Sequence, residues 1–320
     1  MNLVITIDTE EDNWGDFSSA GQTLENIERI PRLQALFDAY NVKPTYLITY
    51  PVATDDKSIE LFMEMEESGR CEIGSHCHPW NTPPFGEELN EKNSMLCNLN
   101  VDLQYQKMSC LHDTIVKNLD VQPISFRSGR WGYNQGVAEN LLKLGYKVDT
   151  SITSYTDWRD YHGPDFSDIS PRPFRFSCKD IFKETIDGHL IEIPATIGFL
   201  QKNFETRNLL MKKLSKRPLN RFRIIGILHK MNLLNKVWLS PEMSDSKQMI
   251  KLTECLMKKD YEVINMFFHS TTLKSGLNQF VKTESDEKQF IQRVKEFLVF
   301  AKDNGVESIK LSETVNLLSI

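Results

Sequence analysis

Glu72-Ile73-Gly74-Ser75-His76-Cys77-His78-Pro79-Trp80-Asn81 is the stretch whose reading decides this chain. It follows a turn signal at Ser68-Gly69 and alternates as far as His78, which predicts a short strand over 72–78. Side chains two apart on a strand share a face, so His76 and His78 point the same way and Cys77 the other. Pro79 cannot donate to a sheet ladder and should end the strand. Two imidazoles at a strand end make half of a metal site, and ligands placed where a strand runs into a loop suit the mouth of a parallel barrel. Two ordinary histidines beside a turn are the plainer alternative.

The first strand supplies what the histidines lack. Leu3-Val4-Ile5-Thr6-Ile7-Asp8-Thr9-Glu10-Glu11-Asp12 starts apolar and turns acidic, with Thr6, Asp8 and Glu10 on one face. One carboxylate with two imidazoles can bind a divalent cation, leaving the other carboxylate as a general base. A solvated acidic loop is the competing reading.

Outward from these strands the chain alternates. A helical pattern over 23–40 is interrupted by Pro31, which predicts a kink or break. A strand over 45–50 stops at Pro51, and a short helix over 58–67 leads into the histidine strand. A long helix over 98–119, a strand end at 125–127, a helix over 135–144 and a strand over 146–149 follow. This β-α rhythm argues for a parallel sheet or barrel. Residues 155–175 lack periodicity and read as a long functional loop, and strand character returns at 190–195. Between Lys202 and Lys236 stand ten Lys or Arg against one acid, Glu205, mixed with Leu, Ile, Phe and Met. A solvated helical insertion is the plainer reading of that segment. A basic flap that meets an anionic substrate, a nucleotide carrier or a membrane surface is the sharper one. The rhythm then resumes with a helix over 246–258, a strand over 262–268, a helix over 284–303, a strand over 307–309 and a terminal helix over 312–318.

Bulk properties set the outer limits. A chain of 320 residues can bury its core as one domain, 1–320, with the loop and basic insertion at about 155–240. A formal net charge of −6 gives no reason to expect nucleic acid as the partner. No apolar run approaches a membrane span, and no leader precedes the first strand. Six scattered cysteines without a C-x-x-C pair suit a reducing compartment, so the expected location is cytoplasmic.

Three further strand ends carry useful chemistry. Phe126-Arg127-Ser128-Gly129-Arg130-Trp131-Gly132 joins two arginines to a tryptophan able to wall a sugar groove. Val148-Asp149-Thr150 and Phe267-Phe268-His269-Ser270 place a carboxylate and an imidazole after apolar runs. Each alone reads equally well as structure, but four strand ends with such groups are hard to explain that way. His112, His162, His189 and His229 lack such settings.

In order and spread these motifs resemble the polysaccharide deacetylase family, the NodB-type fold also called carbohydrate esterase family four. The resemblance rests on Asp8 to Glu10, Ser75 to His78, Arg127 to Gly132, Asp149, and Phe267 to Ser270, which span nearly the whole chain. The Asp-Thr-Glu-Glu-Asp and Ser-His-x-His-Pro-Trp-Asn runs are similar to a divergent branch associated with bacterial surface-polysaccharide biosynthesis. This chain departs from the family pattern in spacing its histidines two apart rather than four, in Thr9-Glu10 for the second aspartate, and in lacking the proline of the third motif. The resemblance implies an α/β fold, a distorted (β/α) barrel with an inserted helical segment. It implies metal-assisted hydrolysis of an N-acetyl amide on a sugar, free or linked to a nucleotide or lipid, with peripheral membrane contact allowed. Glu10, His76 and His78 would hold the divalent metal, zinc first; Asp8 would be the base, oriented by Arg127. His269 would be the acid, held charged by Asp149. Trp80, Arg130 and Trp131 would bind the sugar. A metal-independent amidohydrolase of the same fold and a non-catalytic carbohydrate-binding protein stand as alternatives.

Overall fold

Among the described residues eight strands run parallel in one sheet, and their order follows from short β-α-β connections. In the computed structural model, which describes residues 1–12, 17–18 and 20–318, the remaining seven positions of the expected 1–320 span lie outside the description. Strand β1 (Asn2–Thr9) is central, with β11 (Val263–His269) on one side and β2 (Thr45–Ile48) on the other. Beyond β2 come β3 (Glu72–Cys77), β4 (Ser125–Ser128), β5 (Val148–Asp149) and β8 (Leu190–Glu192). Two short antiparallel strands, β6 (Phe174–Ser177) and β7 (Asp180–Glu184), extend the edge at β8. A separate hairpin pairs β9 (Ile197–Phe199) with β10 (Lys236–Trp238), and β12 (Glu307–Ser308) adds to β1. Helices α1 (Ile30–Ala39), α2 (Tyr50–Thr54), α3 (Asp56–Glu67), α4 (Val101–Leu119) and α5 (Gln135–Lys143) connect the early strands. Helices α6 (Phe204–Ser215) and α7 (Ile224–Lys230) lie between β9 and β10. Helices α8 (Ser246–Met257), α9 (Glu284–Asp303) and α10 (Thr314–Leu317) complete the chain.

Between β8 and β11 the ladder is open. Isolated backbone bonds cross this seam: Thr196 N donates to Asn265 O at 3.2 Å, Leu239 N to Thr196 O at 2.8 Å and Phe267 N to Leu239 O at 3.2 Å. Parallel strands in register present matching residues to one face, so the pairings sort every side chain. Val4, Val148, Ile191, Ile193, Val263 and Leu311 form an inner apolar cluster, while the larger outer cluster packs the helices against the sheet. At the N-terminal ends of the strands, Glu72 accepts from Thr45 Oγ1 at 2.9 Å and Ser312 N at 2.9 Å, so the C-terminal segment stoppers that mouth. Chemistry is left to the other mouth.

Several expected boundaries move. Pro31 sits in the first turn of α1, where the missing N–H costs no helical bond, so it starts the helix instead of kinking it. The strand expected over 45–50 stops at Ile48, and Tyr50 with Pro51 opens α2 for the same reason. The loop expected to reach Arg175 ends one residue before Phe174, whose alternation with Phe176 forms β6 against β8.

Candidate active site

Four strand ends and the loops above them deliver the site. In the β1–β11 register Asp8 lies beside His269, and in the β3–β4 register His76 lies beside Arg127. Arg127 is fully buried, and each of its three guanidinium nitrogens donates. Nη1 donates to Asp8 Oδ1 at 2.5 Å, Nη2 to Thr6 Oγ1 at 2.6 Å and Thr150 Oγ1 at 3.2 Å, and Nε to Thr150 O at 3.0 Å. Asn265 closes this polar layer through Thr6 and Thr150, at 2.9 and 2.8 Å. A buried guanidinium without such partners would be very costly, so the layer holds Asp8 ionised and in place. Burial would raise the Asp8 carboxyl, but Arg127, His76 and His269 outweigh it and leave the pKa below the ordinary range.

Above Asp8, Glu10, His76 and His78 converge. Their ligand atoms all lie within 4.8 Å of one another, and all three residues are buried. Glu10 Oε2 is 3.6 Å from His76 Nε2 and 3.4 Å from His78 Nε2. A tetrahedral zinc with bonds near 2.0–2.1 Å would separate its ligand atoms by about 3.3 Å. The surrounding contacts also fit a cation. His76 Nδ1 meets Arg127 O at 3.1 Å and His78 Nδ1 meets Glu11 Oε1 at 3.3 Å, so each ring can keep its proton on Nδ1 and turn Nε2 inward. Burial alone would lower the His78 pKa, but Glu11, then Glu10 and Asp8, raise it. Gly129 makes the packing possible: a Cβ there would come within 2.3 Å of His78 Cδ2 and 2.8 Å of Cys77 O.

His269 stands on the opposite side of Asp8, with Nε2 at 3.7 Å from Asp8 Oδ2 and 18% of its side chain exposed. Its carboxylate partner is not the expected Asp149. Glu242, in the loop after β10, accepts from His269 N at 2.8 Å and holds Nδ1 at 3.1 Å through both oxygens. Burial would lower the imidazole pKa; Glu242 first, then Glu10 and Asp8, raise it to about 10. Asp149 pairs in register with Phe126 and Glu192, on the outer face, one residue out of step with Arg127. It accepts from Ser151 Oγ at 2.7 Å, and burial pushes its pKa up to about 6 against the lowering effect of hydrogen bonds from Glu192 and Ser151.

The cavity over these groups has a volume of about 910 Å³, and Trp80, Trp131, Trp158, Trp238 and Tyr161 contribute to its walls. Trp131, expected to bind the sugar, is only 9% accessible and lies over the Arg127 guanidinium, 5.0 Å from centroid to carbon. Trp80 stacks on His78 with centroids 4.1 Å apart, and its Nε1 donates to Glu11 at 3.1 Å. Arg130 reaches Ser94 Oγ and the Glu91 carbonyl, and stacks 4.7 Å over Phe17. The structure thus brings Asp8, Glu10, His76, His78, Arg127 and His269 together and leaves Asp149 out. Sequence reasoning gave no role to Glu11 and missed Glu242. Glu242 had a faint signal, an acid in Ser240-Pro241-Glu242-Met243 just after an apolar run.

No family model and no curated protein matches this sequence. Solved structures do. A provisionally named polysaccharide deacetylase from Mycobacterium smegmatis superposes with a TM-score of 0.57 at 14% identity, covering 99% of this chain and 89% of that one. A provisionally named glycoside hydrolase/deacetylase from Parabacteroides distasonis gives 0.63 at 12% identity, covering 99% and 71%. The 4-alpha-glucanotransferase of Thermococcus litoralis gives 0.53 at 11%, with 99% of this chain matched to 40% of that enzyme. At such identities the likeness establishes the fold, a mixed α/β architecture of the NodB deacetylase type.

Proposed function

We propose that this chain is a metal-dependent hydrolase that removes an N-acetyl group from a sugar. The observation that carries the reading is one constellation: the Glu10, His76 and His78 triangle, flanked by the Asp8–Arg127 and His269–Glu242 pairs, at the floor of an aromatic-walled cavity. The names of two of the structural neighbours support a deacetylase. The resemblance in motifs favours a substrate of surface-polysaccharide synthesis, carried on a nucleotide or a lipid. All six cysteines stand as free thiols, which suits a cytoplasmic setting.

Glu10, His76 and His78 would hold the cation, zinc first. When bound it would act as a Lewis acid on the amide carbonyl and stabilise the charge that develops on its oxygen. Asp8 Oδ1 is tied to Arg127, so Oδ2, which faces His76 and His269, is the oxygen that takes the proton of the attacking water. His269 carries its Nδ1 proton toward Glu242, leaving the Nε2 proton to be given to the departing amine nitrogen. Both transferring atoms face one point, 3.7 Å apart, which suits consecutive proton transfers to one substrate amide. Trp158 and Trp238 offer ring faces for the sugar, with Trp80 and Trp131 behind them as packed wall.

The test is to measure acetate release by zinc-loaded protein from free, nucleotide-linked and lipid-linked N-acetyl sugars, with metal content measured alongside. One equivalent of zinc and acetate release are expected, both lost in the His76→Ala, His78→Ala double variant. Turnover by metal-free protein would favour the metal-independent amidohydrolase. Sugar binding without acetate release across the panel would leave a carbohydrate-binding protein.

A further inference from the structure

The segment between β9 and β10 is not used by the chemistry above. Its base is packed: Phe204 is buried against Tyr155 and Phe199, Asn208 donates to Ser167 O at 2.7 Å, and Leu234 is buried on the return. Its tip is not. Helix α7 carries Ile224, Ile225, Ile227 and Leu228 within seven residues; Ile224, Ile225 and Leu228 are half-buried against the core, none of the helix is fully buried, and Ile227 faces out. Ile227 is 54% exposed, Phe222 before it 66% and Met231 after it 61%. A helix normally buries an apolar stripe against its own fold, and a cluster of large apolar side chains left outside marks a surface that something else covers.

The same tip is basic. Ten Lys or Arg face one acid between Lys202 and Lys236, in a chain of formal net charge −6. Lys212, on α6, meets Asp168 at 2.8 Å. Among the described residues Arg217, Arg221, Arg223 and Lys230 meet no carboxylate within salt-bridge distance. Exposed aliphatic groups interleaved with unpaired cations meet the two requirements of peripheral membrane attachment, apolar insertion and attraction to acidic headgroups. An anionic small molecule would need a concave polar pocket, and none of these side chains lines the cavity over the candidate site. Among the described residues no helix is long and apolar enough to cross a membrane.

We propose that residues 217–231 dock on an anionic lipid leaflet, the aliphatic side chains entering the acyl boundary while the arginines meet lipid phosphates. The docking chain is continuous with the cavity wall. Strand β10, on which the segment returns, carries Trp238, and the loop that moors α6 carries Trp158 and Tyr161, all three lining the cavity. The inference concerns location and does not rest on the hydrolase reading.

The test is co-sedimentation of the full chain with phosphatidylcholine vesicles and with vesicles that also contain phosphatidylglycerol. Strong partitioning to the acidic vesicles alone is expected, weakening as salt screens the headgroups. Replacing Arg217, Arg221 and Arg223 with Gln should lower partitioning about 100-fold, about fivefold for each cation. Ile227→Asp should abolish it with the far-ultraviolet circular dichroism unchanged. Absence of binding to either vesicle, or equal binding to both that the Gln variant leaves intact, overturns the proposal. So does a dimer in sedimentation velocity that Ile227→Asp dissolves without any vesicle binding, which would give the tip to a second copy of this chain.

Discussion

Asp149 and Thr150 are neighbours in sequence that face opposite sides of the sheet, and the site's electrostatics turn on that single step. Thr150 reaches inward to Arg127; Asp149 faces outward to Ser151 and Glu192. The acid role proposed for His269 therefore depends on Glu242. Glu242→Gln should move the alkaline limb of kcat/KM to lower pH, because the carboxylate that offsets burial and raises the imidazole pKa to about 10 is gone. Asp149→Asn should leave that limb in place, and a pH–rate profile of both variants checks the assignment. The sign for stability follows from the same shift. With the folded pKa above the unfolded value of about 6.5, the pair's stabilisation is full below that pH and fades as pH rises toward 10. Denaturant unfolding of wild type and Glu242→Gln across that window measures it. Gly129→Ala should weaken metal binding about 10–100-fold, the usual cost of disturbing a group behind a ligand, since its Cβ would displace His78; zinc titration reads this directly. The pairs His76/His78 and Asp8/Glu10 were legible in sequence because period two acts locally. Glu242 was not, because a loop acid has no periodicity to show which element it will meet.

At the scale of elements, the loop after β3 shows how one buried cation can fix a site wall. Lys107 on α4 has no exposed surface, and its Nζ donates to the carbonyls of Pro79, Thr82 and Pro84 at 2.8 Å each. It also forms an ion pair with Glu87 at 2.8 Å. This moors the loop that carries Trp80, which in turn holds Glu11 against His78. Lys107→Met should cost about 3–5 kcal/mol, the range for removing one partner of a buried pair, and should also lower metal affinity by loosening Trp80. Equilibrium unfolding and zinc titration check the two effects. Proline placed α1 and α2 more simply than its helix-breaking reputation suggests: at the first turn its fixed φ starts a helix. The hairpins β6–β7 and β9–β10 escaped the sequence reading because strands of three to five residues are too short for alternation to stand out.

For the whole molecule, the sheet has one end stoppered by the C-terminal segment, and the candidate site lies at the other. Leu311, fully buried among Val4, Val148, Ile191, Ile193 and Val263, belongs to the stopper. Leu311→Ala should destabilise the fold by about 2–5 kcal/mol while kcat is unchanged, which thermal unfolding and steady-state kinetics would show together. By itself the sequence determined the parallel β-α rhythm and the shared faces of Asp8 with Glu10 and of His76 with His78, the two pairs that could carry a metal. Those properties follow from periodicity, which is local and survives without tertiary contacts. What only the tertiary structure decided was partnership across the chain: Glu242 rather than Asp149 for His269, Thr6 and Thr150 for Arg127, and which tryptophans are wall and which are packing. Strand register and the loops that return over the mouth set those partners, which lie 23 positions apart for Arg127 and Thr150, 27 for His269 and Glu242 and 121 for Arg127 and Thr6, beyond the reach of local periodicity.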